Sequence, residues 1–368
     1  SPLALGIVSA AVAIPMLLFS PFGGVLADRV ERRGLIITAQ TVAIMSEVII
    51  LILLLNGVVA YWHLVCLAAV NGCIFPLIMP ARQAIVVNIV GKKHLGNAMA
   101  LNMAGMNLTR VVGPAAAGFM IPIIGLEGVY IANIALYITA VLAMFRISKL
   151  PALAALREVS IASNLADGIR YVRDDKLILT LLLYGLVPMF LAMPFQTLLV
   201  VFAEDVWNQG STGLGILNAA AGIGGVAGSV YVASRGGREE RLRAMMISIV
   251  GFGGLLALFS FSPWFPPAVL LIFAANIFAS IFGTLNNTSI QLLIPDEVRG
   301  RISSFLMMSF SLPLLGTLPI SSLAERFGAP IAVGTASLLA VLVAFIFYAV
   351  SPALRGLDRQ IRRASAEE

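Results

Sequence analysis

The feature that most constrains this chain is a series of eleven apolar segments, each long enough to cross a lipid bilayer. A membrane-spanning helix needs about 20 predominantly apolar residues. The segments run approximately over residues 3–27, 34–55, 62–89, 95–122, 128–147, 177–203, 211–234, 244–262, 267–293, 300–325 and 331–352. This pattern predicts an all-α integral membrane protein.

Composition excludes an ordinary soluble enzyme, because only 11% of the residues are charged and a soluble domain carries about 25%. The sequence shows no metal-binding, nucleophilic or phosphate-cradling constellation, so we expect no enzymatic activity, no metal and no cofactor. The net charge of +6 is spread over loops and tails rather than along one face. It argues against a nucleic-acid partner and for orientation against an anionic inner leaflet.

The connecting loops alternate in charge along the chain, and loops rich in Lys and Arg stay in the cytoplasm. The basic set comprises the loops holding Arg29, Arg32 and Arg33, then Lys92 and Lys93, then 149–176, then Arg235, Arg238, Arg241 and Arg243, then Arg299 and Arg301, and finally the tail after 353. The other loops are nearly free of basic residues, and they contain Trp62, Trp207 and Trp264. The alternation predicts that the linker and the C-terminus are cytoplasmic.

The chain also contains a weak internal repeat. Residues 82–98 align with 287–303, and residues 23–33 align with 228–238, both at a shift of 205 residues. Two similar halves joined by a cytoplasmic linker predict a parallel duplication about an axis along the membrane normal. The segment 177–203 has no counterpart at this shift, so we expect twelve spans in the complete protein, the first of them missing here.

These observations predict four parts: an N-terminal helical bundle lacking its first helix (1–148), a linker (149–176), a six-helix bundle (177–352) and a cytoplasmic tail (353–368). In the linker, apolar residues recur at helical spacing. They are Ile161, Leu165, Ile169 and Val172. We interpret the linker as an amphipathic helix on the cytoplasmic face; the alternative is a polar linker with one helical turn.

The loop GVLADRVERR, residues 24–33, resembles the signature of the major facilitator superfamily between its second and third helices. The matching residues are Gly24, Asp28, Arg29, Arg32 and Arg33. The stretches 80–90, 107–118, 202–225 and 290–304 are similar to the bacterial efflux branch that contains the enterobactin exporter and macrolide-efflux proteins. The resemblance implies two six-helix bundles related by pseudo-two-fold symmetry, in a monomeric multi-pass protein of the bacterial cytoplasmic membrane.

In the fold that this resemblance implies, Asp28 meets the start of the span 300–325 at the cytoplasmic side. A carboxylate at a helix N-terminus gains about 0.3–1 kcal/mol. Such a latch would favour the outward-open state, because the contact exists only while the cytoplasmic side is closed. The alternative is that these charges only pin the loop at the membrane surface. Glu31 stands where the superfamily has glycine, which permits positive φ, so we expect the turn to differ here.

The stretch from Arg110 to Gly118 resembles the antiporter motif of the superfamily. Its helix-interface residues are Gly113, Pro114 and Gly118, since small residues allow close approach and proline loosens a helix; plain packing is the alternative. Arg110 lies about 22 Å of helical rise into its span. A cation at that depth usually faces a protein interior.

Glu47 lies about 20 Å into its own span. A buried carboxylate could take up a proton, or Glu47 could pair with Arg110 in a structural role. Candidates for proton coupling or for the substrate cavity are Glu47, Arg82, Gln83, Arg110, Asn71, Asn107, Gln196, Asn218 and Asn276. For each asparagine, a hydrogen bond between helices is the alternative.

The function that we predict is secondary active transport: proton-driven export of a small amphipathic compound, of drug or siderophore type, by alternating access. Its partners would be the small-molecule substrate, protons and the lipid bilayer. Two alternatives stay open, namely proton-coupled uptake of a small metabolite and a non-transporting membrane receptor or scaffold on the same fold.

Overall fold

The structure is a computed structural model that describes residues 1–147, 170–234, 240–294 and 312–367. Within these ranges, the side chains of 21–29, of many residues between 83 and 111, and of 364–367 lie outside the described set. Every regular element in the described ranges is a helix. The predicted linker helix falls mostly outside them; residues 170–174 form one helical turn.

The helices are α1 (Pro2–Arg29), α2 (Arg32–Leu55), α3 (Tyr61–Phe145), α4 (Lys176–Leu191), α5 (Phe195–Val201), a π-helical turn (Phe202–Val206), α6 (Gly210–Ser234), α7 (Arg241–Ser260), α8 (Phe265–Leu293), α9 (Leu312–Phe327), α10 (Ala329–Val350), α11 (Pro352–Arg355) and α12 (Leu357–Glu367). Within the described residues, nine segments are long and apolar enough to cross a membrane. The predicted span 300–325 begins outside the described residues and continues as α9. The sequence therefore predicted the helical membrane-protein class correctly.

Helix α3 is one continuous run of 85 helical residues, but it is not straight. Arg82 Nη2 donates a hydrogen bond to Asn102 Oδ1 over 3.2 Å. Twenty residues of straight helix would separate these side chains by about 30 Å, so the chain reverses between them. Gly125 has φ +73°, which interrupts the right-handed helix a second time. The two interruptions agree with the boundaries between the predicted spans 62–89, 95–122 and 128–147.

The Cα positions divide into two compact units, Ile7–Ser163 and a second unit formed by Ser1–Gly6 with Asn164–Glu368. In the first, α2 packs along α3. In the second, α6 and α7 both pack on α8, while α10 packs on α7, α9 and α4. Large side chains fill the core of this second unit. They include Tyr184, Phe195, Phe202, Phe252 and Phe259, all fully buried.

Glycines bring α6 and α8 close together. A Cβ atom added at Gly224 would collide with the carbonyl oxygen of Phe273, and one at Gly228 with that of Ile277. Small residues allow helix backbones to approach in this way inside a membrane. Gly224 and Gly228 are therefore packing residues of this helix pair.

Carboxylates cap several helix starts. Glu31 Oε2 accepts a hydrogen bond from Gly34 N over 3.0 Å at the start of α2. Asp175 Oδ1 accepts from Leu177 N and Ile178 N over 2.9 and 3.0 Å at the start of α4. Each contact satisfies backbone N–H groups that have no acceptor within the helix, at its positive dipole end.

A third carboxylate reaches its helix from another part of the chain. Asp358, in the first turn of α12, accepts hydrogen bonds from Arg241 N and Leu242 N over 2.9 and 3.3 Å. The same tail helix buries Leu357 and Ile361 against the bundle. The C-terminal tail is therefore docked on the bundle and fixes the start of α7.

The close contact of α6 with α8 generates a stability prediction. Gly228→Ala should lower the free energy of unfolding by about 1–3 kcal/mol, the usual cost of overpacking, because the new methyl group displaces the carbonyl of Ile277. Gly225→Ala is the matched control in the same helix, since its Cβ meets no described atom within 4 Å. Thermal unfolding in detergent micelles measures both variants. Equal melting temperatures for the two would contradict the packing described here.

Candidate functional site

The signature loop is described in part. The surroundings of Gly24 and the side chains of Asp28 and Arg29 lie outside the described set, so the contacts of Asp28 stay a prediction. Arg32 is buried, with 4% of its surface exposed. The guanidinium carbon of Arg33 lies 5.5 Å from the ring centroid of Phe145, which is a cation–π distance. This cation–π contact of Arg33 with Phe145 therefore joins the first turn of α2 to the end of α3.

Glu31 replaces a glycine of the superfamily pattern without backbone strain. Its φ is −59° and its ψ is 114°, which a residue with a side chain adopts freely. Its carboxylate is the N-cap of α2. At this position the turn needs no left-handed residue, and the substituted side chain supplies an acceptor that glycine lacks.

The most concentrated polar chemistry in the first unit surrounds Glu47. The Glu47 carboxyl group lies next to the side chain of Asn133, close enough to interact with its amide. Tyr130 and Tyr137 lie close enough to interact electrostatically with it. Residues 130, 133 and 137 share one helix face, because residues three and four apart are neighbours on a helix surface. All four side chains are half-buried, between α2 and the last part of α3.

This cluster can accommodate the Glu47 carboxyl group with or without a proton. An ionised carboxylate accepts hydrogen bonds from amide N–H and phenol O–H groups, while a protonated one donates to an amide oxygen. Asn133 offers both an amide donor and an amide acceptor. Asn133 can therefore partner the Glu47 carboxyl group in either protonation state. The alternative pairing of Glu47 with Arg110 is untested, because the Arg110 side chain lies outside the described residues.

Several predicted cavity residues bond within their own helices. Asn218 Nδ2 donates to Leu214 O, and Asn276 Nδ2 donates to Ile272 O, both over 2.9 Å. These amides therefore satisfy their donors locally. The alternative to a cavity role was a hydrogen bond between helices. The bonds described for these two amide donors run within a single helix instead.

The remaining candidates do not form one described group. Arg82 is exposed and bonds to Asn102, Gln196 is exposed beside Met193, and Asn71 is half-buried in α3. In the predicted helix-interface motif, Gly113 and Pro114 are exposed and Gly118 is buried. The side chains of Gln83 and Asn107 lie outside the described residues. Among the described residues, no cluster of His, Cys, Asp or Glu could hold a metal ion.

Sequence reasoning missed the partners of Glu47. Asn133, Tyr130 and Tyr137 are among the few polar residues of a largely apolar span, and their spacing of three and four residues was a signal that they share a face. It also missed the contact of Asn286 with α4. Asn286 is 7% exposed, and a Cβ atom at Gly185 would lie 2.5 Å from its amide nitrogen.

Comparison with known proteins agrees with this architecture. The family described as transmembrane secretion effector, within the major facilitator superfamily, matches residues 1–366. The Staphyloferrin A transporter of Staphylococcus aureus is 23% identical over 368 residues, covering 95% of this chain and 88% of its own. Macrolide efflux protein A of Streptococcus pyogenes is 21% identical over 321 residues, covering 86% and 79%. These similarities confirm the resemblance to the superfamily and its bacterial efflux branch.

A solved structure shows the same fold. The nucleoside transporter NupG superimposes with a TM-score of 0.74, covering 95% of this chain and 90% of its own, at 16% sequence identity. This confirms the predicted major facilitator fold.

The Glu47 cluster generates a prediction about coupling within the first unit. A double-mutant cycle of Glu47→Ala with Asn133→Ala should give an interaction free energy of about 0.6 kcal/mol, and at most about 1.7, as for other hydrogen bonds between membrane helices. Unfolding by SDS in mixed micelles measures the cycle. Glu47→Ala combined with Asn102→Ala is the control and should be additive, because Asn102 bonds to Arg82 instead. Additive effects of Glu47→Ala and Asn133→Ala would show that the two side chains do not interact.

Proposed function

Because this chain belongs to the transmembrane secretion effector family of the major facilitator superfamily, we propose that it exports a small amphipathic compound in exchange for protons. Proteins of this superfamily are multi-pass membrane transporters and not enzymes. The observation that carries the proposal is the similarity, over most of the chain, to a Staphyloferrin A transporter and a macrolide efflux protein. By this proposal the protein lies in the bacterial cytoplasmic membrane and acts as a monomer.

Glu47 is the group that binds the coupling proton in this proposal. The support is chemical: a carboxyl group inside an apolar span, next to an amide that can donate and accept. A charged carboxylate at that depth is costly, and such residues are usually functional. The proton would enter from the extracellular side and leave to the cytoplasm, while the substrate moves the other way.

Asp28 is the cytoplasmic latch in this proposal. Its support is the repeated use of the same contact elsewhere in the chain, where Glu31, Asp175 and Asp358 each cap a helix start. A contact of this kind between Asp28 and the helix that follows residue 300 would stabilise the state closed to the cytoplasm. The substitution Asp28→Asn would remove the negative charge that this contact needs and keep the shape of the side chain.

The transport proposal is tested in inside-out membrane vesicles with an imposed acid-inside pH gradient. We expect a fluorescent amphipathic dye or a radiolabelled macrolide to accumulate, and a protonophore to abolish the accumulation. Accumulation that requires an acid-outside gradient would establish proton-coupled uptake instead. Binding without accumulation in either orientation, over a panel of dyes, macrolides and siderophores, would favour the receptor or scaffold alternative.

Glu47→Gln should reduce accumulation driven by the pH gradient at least tenfold, because the amide cannot be protonated near neutral pH. Exchange of labelled for unlabelled substrate without a gradient should continue. Glu127→Gln is the matched control, since Glu127 lies beside the Gly125 interruption of α3, in a predicted loop. Gradient-driven transport by Glu47→Gln at the parent rate would exclude Glu47 as the coupling group.

Asp28→Asn should lower transport about two- to fivefold, which corresponds to losing the 0.3–1 kcal/mol of a helix-dipole contact. Membrane insertion should be unchanged, as measured by the amount of protein in the membrane fraction. Asp205→Asn, at an exposed carboxylate in a loop predicted to be extracellular, is the control. Parent-level turnover in Asp28→Asn would remove the latch from the mechanism.

A further inference from the structure

A large groove opens between α6 and α7, and α8 forms its floor. Its volume is about 820 Å³, within the range of small-molecule sites. The groove lies wholly within the C-terminal unit. Its lining changes from charged to apolar along its length. The residues that matter for its chemistry are Tyr231, Glu240, Arg243, Ile247, Phe278 and Ile281.

Helix packing explains why the groove exists. Helix α6 approaches α8 through Gly224 and Gly228, as described above. Helix α7 approaches α8 through Gly251, where an added Cβ would lie 2.8 Å from the ring of Phe278. Both helices therefore rest on α8, and small side chains, Ala227 and Ala244, line the space between them.

The mouth of the groove is polar. Arg243 Nη1 lies 3.1 Å from Glu240 Oε2, and the two side chains are 74% and 68% exposed. An exposed ion pair of this type contributes at most about 1 kcal/mol, so a ligand can take over both charges at little cost. Asp358 holds the backbone of this turn in place through the amides of residues 241 and 242.

The inner part of the groove, made by the α8 floor and the α7 wall, is apolar. Ile247 is 55% exposed, Phe278 is half-buried, and Ile281 is buried. The helices α6, α7 and α8 are all long and apolar enough to span the membrane. The loop before α7 is basic and predicted to be cytoplasmic. The groove thus runs from a charged mouth, at the predicted cytoplasmic surface, into the depth of the hydrocarbon.

We propose that this groove binds a phospholipid of the cytoplasmic leaflet whose headgroup carries both a phosphate and a primary ammonium group. The acyl chain lies on Ile247, Phe278 and Ile281, where each buried CH₂ group stabilises the complex. Arg243 donates to the phosphate, and Glu240 accepts from the ammonium group. The paired opposite charges select a zwitterionic headgroup, because an anionic lipid without an ammonium group would place its negative charge near Glu240.

Native mass spectrometry of the full chain tests this proposal. The protein is released from nanodiscs that contain equal parts of phosphatidylethanolamine, phosphatidylglycerol and phosphatidylcholine. We expect phosphatidylethanolamine to be retained at least fivefold more often than either of the others. Phosphatidylcholine is the informative comparison, since its quaternary ammonium group has no N–H to donate to Glu240.

Variants locate the bound lipid. Glu240→Gln and Arg243→Gln should each reduce retention of phosphatidylethanolamine at least threefold, and Glu240→Gln should abolish the preference over phosphatidylglycerol. Ala244→Trp, which fills the wall of the groove, should reduce retention of every lipid. The controls are Arg359→Gln, an exposed arginine on α12, and Leu338→Trp, an exposed apolar position on α10. Gel filtration verifies that each variant elutes like the parent protein.

Three outcomes would overturn the proposal. Equal retention of phosphatidylglycerol and phosphatidylethanolamine by the parent protein would refute the charge selection. Unchanged retention in Ala244→Trp, or in both mouth variants, would place the lipid elsewhere. Displacement of the lipid by millimolar inorganic phosphate alone would show that the site recognises the anion and not the chain. The readout requires no transport, so it is independent of the proposed export function.

Discussion

The structure depends on how helix ends are satisfied in a chain with few polar groups. The first N–H groups of a helix have no acceptor within that helix. Here carboxylates supply the acceptors. Glu31 and Asp175 cap their own helices, and Asp358 caps α7 from the C-terminal tail. Glu325, at the end of α9, accepts from Leu3 N in the first turn of α1 over 3.2 Å. The first three of these contacts lie at the starts of α2, α4 and α7.

A carboxylate in the interior of a helix caps no helix start, so its presence needs another explanation. Glu47 lies in the interior of α2, where it caps nothing, and its partner is the side chain of Asn133 on α3. Two asparagines that the sequence offered as cavity residues, Asn218 and Asn276, donate to carbonyl groups of their own helices. Among these candidates, Glu47 is the one that can be protonated, and its described neighbour Asn133 offers both an amide donor and an amide acceptor. That difference is why the proposed coupling is assigned to Glu47.

The sequence predicted the fold class because hydropathy is a local sum: each span can be recognised from its own residues. It also predicted the break at Gly125, since a glycine-containing loop separates two apolar runs there. The docking of Asp358 on α7 was not predictable, because it joins residues 117 positions apart. The partners of Glu47 were missed for the same reason, as they depend on the register between α2 and α3. Hydropathy does not show how α2 is aligned against α3. The spacing of residues 130, 133 and 137 shows only that these three side chains share one face of α3.

The central claim is that export of the substrate is coupled to protons through a single carboxyl group, and proton movement tests it most directly. The purified protein would be reconstituted in liposomes with a pH-sensitive dye inside and no initial pH gradient. A transported macrolide or dye added outside should enter as protons leave, so the lumen should become alkaline, and Glu47→Gln should show no such change; acidification of the lumen would indicate symport instead. Substrate entry without any pH change in the parent protein would contradict the account.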